Sequence, residues 1–347
     1  MSQKGLLIAN LGSPDSTSVS DVRRYLAQFL MDKYVIDVPW LLRLIIVYLF
    51  ILPFRPKRSA EAYASIWWEE GSPLVVISQR FTKKLQAKLE IPVALGMCYG
   101  QPSLKSAIEE LVDQGVDQIT LAPMYPHYAM STITTGVEAV KNEVKNMSKK
   151  RGTPLTCEVI APFYNDPDYI KVLSKSLEEG GIKKAEHIVF SYHGLPTRHL
   201  KKTDPTGKWC QKQENCCHTP CDLKPNPHEV CYSHQVYETT RLVVETLGLK
   251  ETDYTVCFQS RLGRDEWLTP SFDDTIIDLA KRGVKDVAVA CPAFVADCLE
   301  TLEEIGEEGQ ETFKEHGGET YNLIACLNDR DDFVDAMQRI IDKKEKG

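Results

Sequence analysis

The chain alternates between short, wholly apolar runs and stretches with apolar residues at helical spacing. Leu6-Leu7-Ile8-Ala9-Asn10, Val93 to Met97, Ile119 to Ala122 and Ile188 to Phe190 have strand length. Such continuous apolar runs are expected of parallel strands covered on both faces. Between them, Val22, Tyr25, Leu26 and Phe29 share one face of a helix predicted to be capped by Ser20 or Asp21. Further helices are predicted over 75–89, 103–114 and 137–147. Alternating β and α units define an α/β fold with mostly parallel sheets.

The pattern also repeats. Ser106 to Ala122, followed by Pro123, matches Asp274 to Ala290, followed by Cys291-Pro292, in its order of helix, glycine turn and apolar strand. Two similar α/β halves facing each other across a cleft are therefore expected, and such a cleft is a usual place for a ligand. The division falls near residue 160: residues 1–160 form the first half and 161–347 the second. The first half would contribute Tyr125-Pro126-His127-Tyr128 to the cleft, and the second Phe294-Val295-Ala296-Asp297.

One segment departs from this alternation. Trp40 to Phe54, inside a lip-like region at about 34–58, is the most hydrophobic stretch. It carries Arg43, ends at Pro53-Phe54, and falls short of the ~20 apolar residues that span a bilayer. Either a buried core helix or an exposed apolar lip fits. The basic run Arg55-Pro56-Lys57-Arg58 that follows suits an anionic membrane surface.

Composition narrows the function. A chain of 347 residues, 43% hydrophobic and 26% charged, is that of a globular protein with room for two cores. A net charge of −8 without a dense basic run argues against a nucleic-acid partner. Met1-Ser2-Gln3-Lys4-Gly5 leads directly into the first strand with no secretory pattern, so a cytoplasmic location is expected. There, eleven cysteines point to a metal site before a disulfide framework.

Three stretches carry candidate chemistry. Ser191-Tyr192-His193-Gly194-Leu195-Pro196 turns an apolar strand into a polar tip, and ligands of open α/β sheets collect at such strand ends. His193 is then either an ordinary satisfied histidine or an acid–base group. In the stretch Pro292 to Glu308, Asp297, Glu300, Glu304 and Glu308 fall near one another at helical spacing. That ladder is either a solvated face or a path for divalent cations and protons. Cys210, Cys216, Cys217, Cys221 and Cys231 crowd a polar insert at about 203–231. Zinc would accept four thiolates or three with one of His218, His228 and His234, and an iron–sulfur cluster would accept four thiolates.

Together, Asn10-Leu11-Gly12-Ser13-Pro14, Ser191 to Pro196, Phe258-Gln259-Ser260-Arg261, Glu266 to Pro270 and Phe294 to Glu304 resemble the ferrochelatases. These are lyases that insert ferrous iron into a porphyrin at the last step of heme synthesis. The resemblance covers nearly the whole chain and implies two Rossmann-like domains with the porphyrin, protoporphyrin IX foremost, between them. It implies His193 and Glu300 as the catalytic pair that meets Fe2+, with Glu304 and Glu308 on a delivery path. Ser13, Tyr99, Tyr125, Tyr128, Ser191, Gln259 and Trp267 would bind the ring. The segment near Trp40 would be a lip over the porphyrin, giving peripheral contact with the inner face of the membrane. Some members carry an internal cysteine-rich segment that binds a 2Fe–2S cluster. This favours the cluster over zinc, with Cys210, Cys216 or Cys217, Cys221 and Cys231 as ligands. Cys98 and Cys298 stand where some relatives have Arg and His, which touches ring contacts and metal delivery but not the reaction. Coproporphyrin as the ring and the oligomeric state stay open.

Overall fold

The strands of the computed structural model, which describes residues 3–261, 263 and 265–346, pair in parallel into two four-stranded sheets. The chain divides into two compact units, Met1–Tyr125 with Met130–Pro162 and Asn328–Gly347, and Pro126–Ala129 with Phe163–Leu327.

The first unit runs β1 (Lys4–Ser13), α1 (Val19–Leu30), α2 (Trp40–Ile45), α3 (Arg55–Ile66), α4 (Pro73–Gln86), β2 (Val93–Gly100), α5 (Leu104–Asp113), β3 (Gln118–Pro123), α6 (Thr135–Arg151) and β4 (Thr156–Val159). Its sheet has the order β2-β1-β3-β4. Leu6, Leu7 and Ile8 on β1 are wholly buried, as a central strand covered on both faces requires. Leu7 and Leu121 meet Ile108, Leu111 and Val140 in one apolar cluster. The α1 cap is Ser18, whose hydroxyl accepts the Asp21 N–H, so the start lies earlier than the Ser20 or Asp21 expected.

The apolar segment does not form a buried core helix. It begins as α2, widens into a π-helix over Ile46–Ile51, and leaves Trp40, Leu41, Leu42, Tyr48, Leu49, Phe50 and Phe54 exposed. Arg43, like Val47 and Leu52, is buried. Its guanidinium donates to the carbonyls of Ile36, Met31 and Val38, so the charge that interrupts the apolar run staples the preceding loop. Among the described residues no helix is long and apolar enough to cross a membrane.

The second unit runs α7 (Pro167–Glu179), β5 (His187–His193), α8 (Thr197–Thr203), α9 (Tyr232–Leu247), β6 (Tyr254–Gln259), α10 (Phe272–Lys281), β7 (Asp286–Ala290), a π-helix over Glu300–Glu308, α11 (Gly309–Glu315) and β8 (Thr320–Leu323). Its order, β6-β5-β7-β8, reproduces that of the first sheet. The sequence repeat becomes α5–β3 and α10–β7. Gly115 and Gly283 turn the corner between helix and strand in each, at φ of 89° and 91°, a backbone shape that favours glycine.

The last helix, α12 (Asp331–Lys346), belongs to the first unit. There the buried Phe333 packs on Phe81 of α4, and Lys84 and Lys88 of the same region pair with Asp329, Asp331 and Asp335.

Candidate active site

His193 is the final residue of β5, beside Gln259 of β6. Its Nδ1 lies 2.7 Å from the Gly194 carbonyl, which can only accept, so Nδ1 holds the proton and Nε2 keeps its lone pair. Burial lowers the imidazole's pKa, while the charge of Glu300 and the Gly194 carbonyl pull it back up. The tip is crowded as well as polar. A Cβ on Gly194 would sit 2.7 Å from the Gln259 carbonyl oxygen and 3.2 Å from Cε3 of Trp267. Main-chain bonds from Leu268 to Leu195 and from Thr197 to Glu266 bind the segment around Trp267 to this turn.

The end of β6 holds the acidic helix in place. Gln259 accepts from the Ser191 hydroxyl at 2.8 Å and donates to the main-chain carbonyl of Glu300 at 3.1 Å. Ser260, at a φ of 66°, donates its hydroxyl to Glu304 at 2.6 Å. Burial pushes the Glu304 carboxyl up to about 7, the Ser260 hydroxyl opposes this, and the charge of Glu300 adds to it. The segment Glu300–Glu308 is π-helical, with i→i+5 geometry in place of the α spacing expected. Glu300 and Glu304 are half-buried and Glu308 is exposed. Asp297 leaves the stripe altogether. It is buried, and its carboxylate accepts from the Thr301 hydroxyl and the Cys326 amide.

The other expected ring contacts divide between the units. In the first, Ser13 has a buried hydroxyl without a protein partner, Tyr99 donates to Asp32 at 3.0 Å, and Tyr125 lies beside the Cys98 thiol. In the second, Tyr128 is half-buried with its amide on Gln235, and the Trp267 indole N–H is buried without a protein partner. Ser191 and Gln259 are buried and bonded to each other. Ser260 and Tyr232 were not singled out from the sequence. Cys298 touches the Glu300 carboxylate, and burial together with that charge keeps its thiol protonated.

In the insert the cysteines are all free thiols. The thiol of Cys231 lies beside those of Cys210 and Cys217, and that of Cys217 beside Cys216; Cys221 joins none of these contacts among the described residues. The loop leading to Cys210 closes on Asp204, whose carboxylate accepts from Thr206, Trp209 and Cys210. Burial opposes ionisation of Asp204, but these donors hold its carboxyl well below the usual range. His228 and His234 turn one ring nitrogen each to the carbonyls of Cys216 and Cys217, and their rings stack at 3.7 Å. His218 packs on Tyr237. Among the described residues no group of three or more His, Cys, Asp or Glu is arranged to hold a metal ion. The four-ligand set that includes Cys221 is therefore not assembled here.

The fold is that of the α/β chelatases. It is similar to SirB from Bacillus subtilis with Fe3+, at a TM-score of 0.52 and 13% identity over 99% of this chain and 98% of that one. It is also similar to the cobalt complex of the sirohydrochlorin chelatase SirB from Bacillus subtilis subspecies spizizenii, at 0.50 and 11% over 98% and 94%. At these identities the likeness concerns the fold alone. The ferrochelatase family model matches residues 3–345. A ferrochelatase of Ectopseudomonas mendocina is 47% identical over 99% of this chain and 98% of its own, and one of Pseudomonas fluorescens 46% over the same shares. The chain belongs to the ferrochelatase family.

Proposed function

We propose that His193 and Glu300 carry the chemistry of this porphyrin-metalating enzyme, which inserts ferrous iron to make heme, and that its ring is protoporphyrin IX. Metalation removes two pyrrole protons while the incoming iron loses its water. A planar macrocycle hides its nitrogen lone pairs, so the site should favour a bent ring, which resembles the transition state. The observation that carries the assignment is the tautomer of His193. With Nδ1–H fixed on Gly194, Nε2 is left as an acceptor, and burial keeps the ring neutral and ready to take a proton. Glu300, close enough for its charge to act on His193, takes the second proton or meets the iron. Glu304 titrates near neutrality and suits relay of protons or cations towards Glu300, with exposed Glu308 at the outer end. Ser191 and Gln259 act as supports. Ser13, Tyr99, Tyr125, Tyr128 and Trp267 are assigned to the ring.

Two peripheral assignments accompany this. The exposed apolar residues from Trp40 to Phe54, followed by Arg55, Lys57 and Arg58, suit peripheral attachment to an anionic membrane from the cytoplasmic side. The insert is assigned a 2Fe–2S cluster, with zinc as the alternative. The neighbouring sulfurs of Cys210, Cys216, Cys217 and Cys231 are suitable donors, and Cys221 is the remaining candidate ligand. No step of iron insertion is routed through that group.

The test is a metalation assay with ferrous iron and, in parallel, protoporphyrin and coproporphyrin. Turnover of protoporphyrin is expected. Saturable spectral shifts without turnover would make the chain a binding protein, and preference for coproporphyrin would reassign the ring.

A further inference from the structure

The cysteine segment ends at Cys231 and runs directly into α9, whose first turn serves two places at once. Tyr232 is buried and donates its hydroxyl to the main-chain carbonyl of His193 at 2.8 Å. The next two residues reach Cys217. Ser233 Oγ lies 3.1 Å from Cys217 Sγ, and His234 Nδ1 lies 2.7 Å from the Cys217 carbonyl. Gln235, wholly buried, donates to the carbonyls of His228 and Glu229 and so ties the same turn to the rest of the insert.

What Tyr232 holds is the peptide between His193 and Gly194. Its hydroxyl takes the carbonyl of that peptide, and the Gln259 carbonyl takes its N–H at 2.7 Å. A peptide plane gripped from both edges cannot rotate, and it fixes the Gly194 Cα from which the Gly194 carbonyl extends. That carbonyl anchors Nδ1 of His193 and thereby aims Nε2. The Tyr232 ring is fixed in turn, because His127 packs edge-on against both Tyr192 and Tyr232, with centroids 5.5 and 5.9 Å away. The ring nitrogen Nε2 of His127 lies 2.9 Å from the Thr239 hydroxyl, which itself donates to the Tyr164 carbonyl.

We propose that Tyr232 is a positioning residue for His193 and that, through it, the first turn of α9 couples the cysteine segment to the catalytic tip. The inference rests on His193 being the reacting base. It gives the insert a place in the enzyme without assigning it any step of the chemistry.

Tyr232→Phe keeps the ring and removes the hydroxyl. In the full-length protein kcat for iron insertion is expected to fall about tenfold, with KM for porphyrin and for Fe2+ little changed, since orientation and not binding is lost. A merely structural role would lower the melting temperature and leave kcat of the folded enzyme intact, and that result overturns the proposal. Coupling is read from a double-mutant cycle with Ser233→Ala. In the wild-type background this variant should lower kcat about threefold, and in the Tyr232→Phe background it should add nothing. Losses that multiply in the double variant overturn the coupling. Where Tyr232→Phe gives no folded protein, Ser233→Ala alone decides, and an unchanged kcat counts against the proposal. Full activity in His193→Ala would instead remove the underlying base assignment, and is read separately.

Discussion

His193 and Glu304 sit in the same unit, yet burial drives their protonation in opposite chemical senses. The imidazole is kept neutral because its pKa falls, and the carboxyl is kept partly neutral because its pKa rises to about 7. Removing the base with His193→Ala should reduce kcat about 10²–10⁴-fold in a folded protein, and Glu300→Gln should do nearly the same. Steady-state metalation kinetics check both, and near wild-type turnover in either would remove that residue from the reaction. Glu304 makes a prediction about stability. Its folded pKa lies above the ordinary carboxyl value of 4.5, so its contribution is fully present below about pH 4.5 and is lost as pH rises through about 7. Glu304→Gln should therefore gain about 1–3 kcal/mol over wild type at pH 8 and almost nothing at pH 4, read from denaturant unfolding at both. At this scale the motif residues were legible in the sequence, because a polar tip after an apolar strand announces His193. Ser260 was not, since no pattern of types says that a serine will take a φ of 66° and turn its hydroxyl to a glutamate 44 residues on.

The strand ends and the helix that follows β7 work as joined elements. Gly194 shows how tightly. A methyl there meets the Gln259 carbonyl, main chain that cannot swing aside, so Gly194→Ala should cost about 1–3 kcal/mol and lower activity by displacing Trp267 and the β5 tip together. Unfolding midpoints with unchanged slope, alongside kcat, check it. The helix–glycine–strand repeat could be read from the sequence because apolar period and chain length fix it. The π-helix at Glu300–Glu308 could not, since Leu299, Leu302 and Ile305 fit α spacing and the widened turn comes from main-chain bonding. In the insert, cysteine spacing left ligand choice open, and three dimensions add the contacts of Cys231. Protein purified without oxygen is expected to carry about two iron and two acid-labile sulfide per chain, and Cys231→Ser to lose its colour. One zinc and no sulfide would exchange the cluster for the alternative and leave iron insertion untouched.

Across the whole molecule, the sheet orders β2-β1-β3-β4 and β6-β5-β7-β8 express one topology twice, which the sequence repeat had foreshadowed. The return of α12 to the first unit had no such signal, because an amphipathic helix does not name the surface it will cover. Phe333, Val334, Ala336 and Met337 are all wholly buried there. The consequence concerns the order of events on the ribosome. Residues 1–162 emerge first but lack the layer that closes their α4 face until 331–346 have been made, after the entire second unit. The second unit can thus complete its core first, although its sequence comes later, while the first waits with Phe81 uncovered. A chain stopped after residue 327 should show native-like amide protection in β5–β8 and markedly weakened protection in β1–β3, measurable by hydrogen exchange. Equal protection in both would mean that the first unit closes without its late-arriving helix.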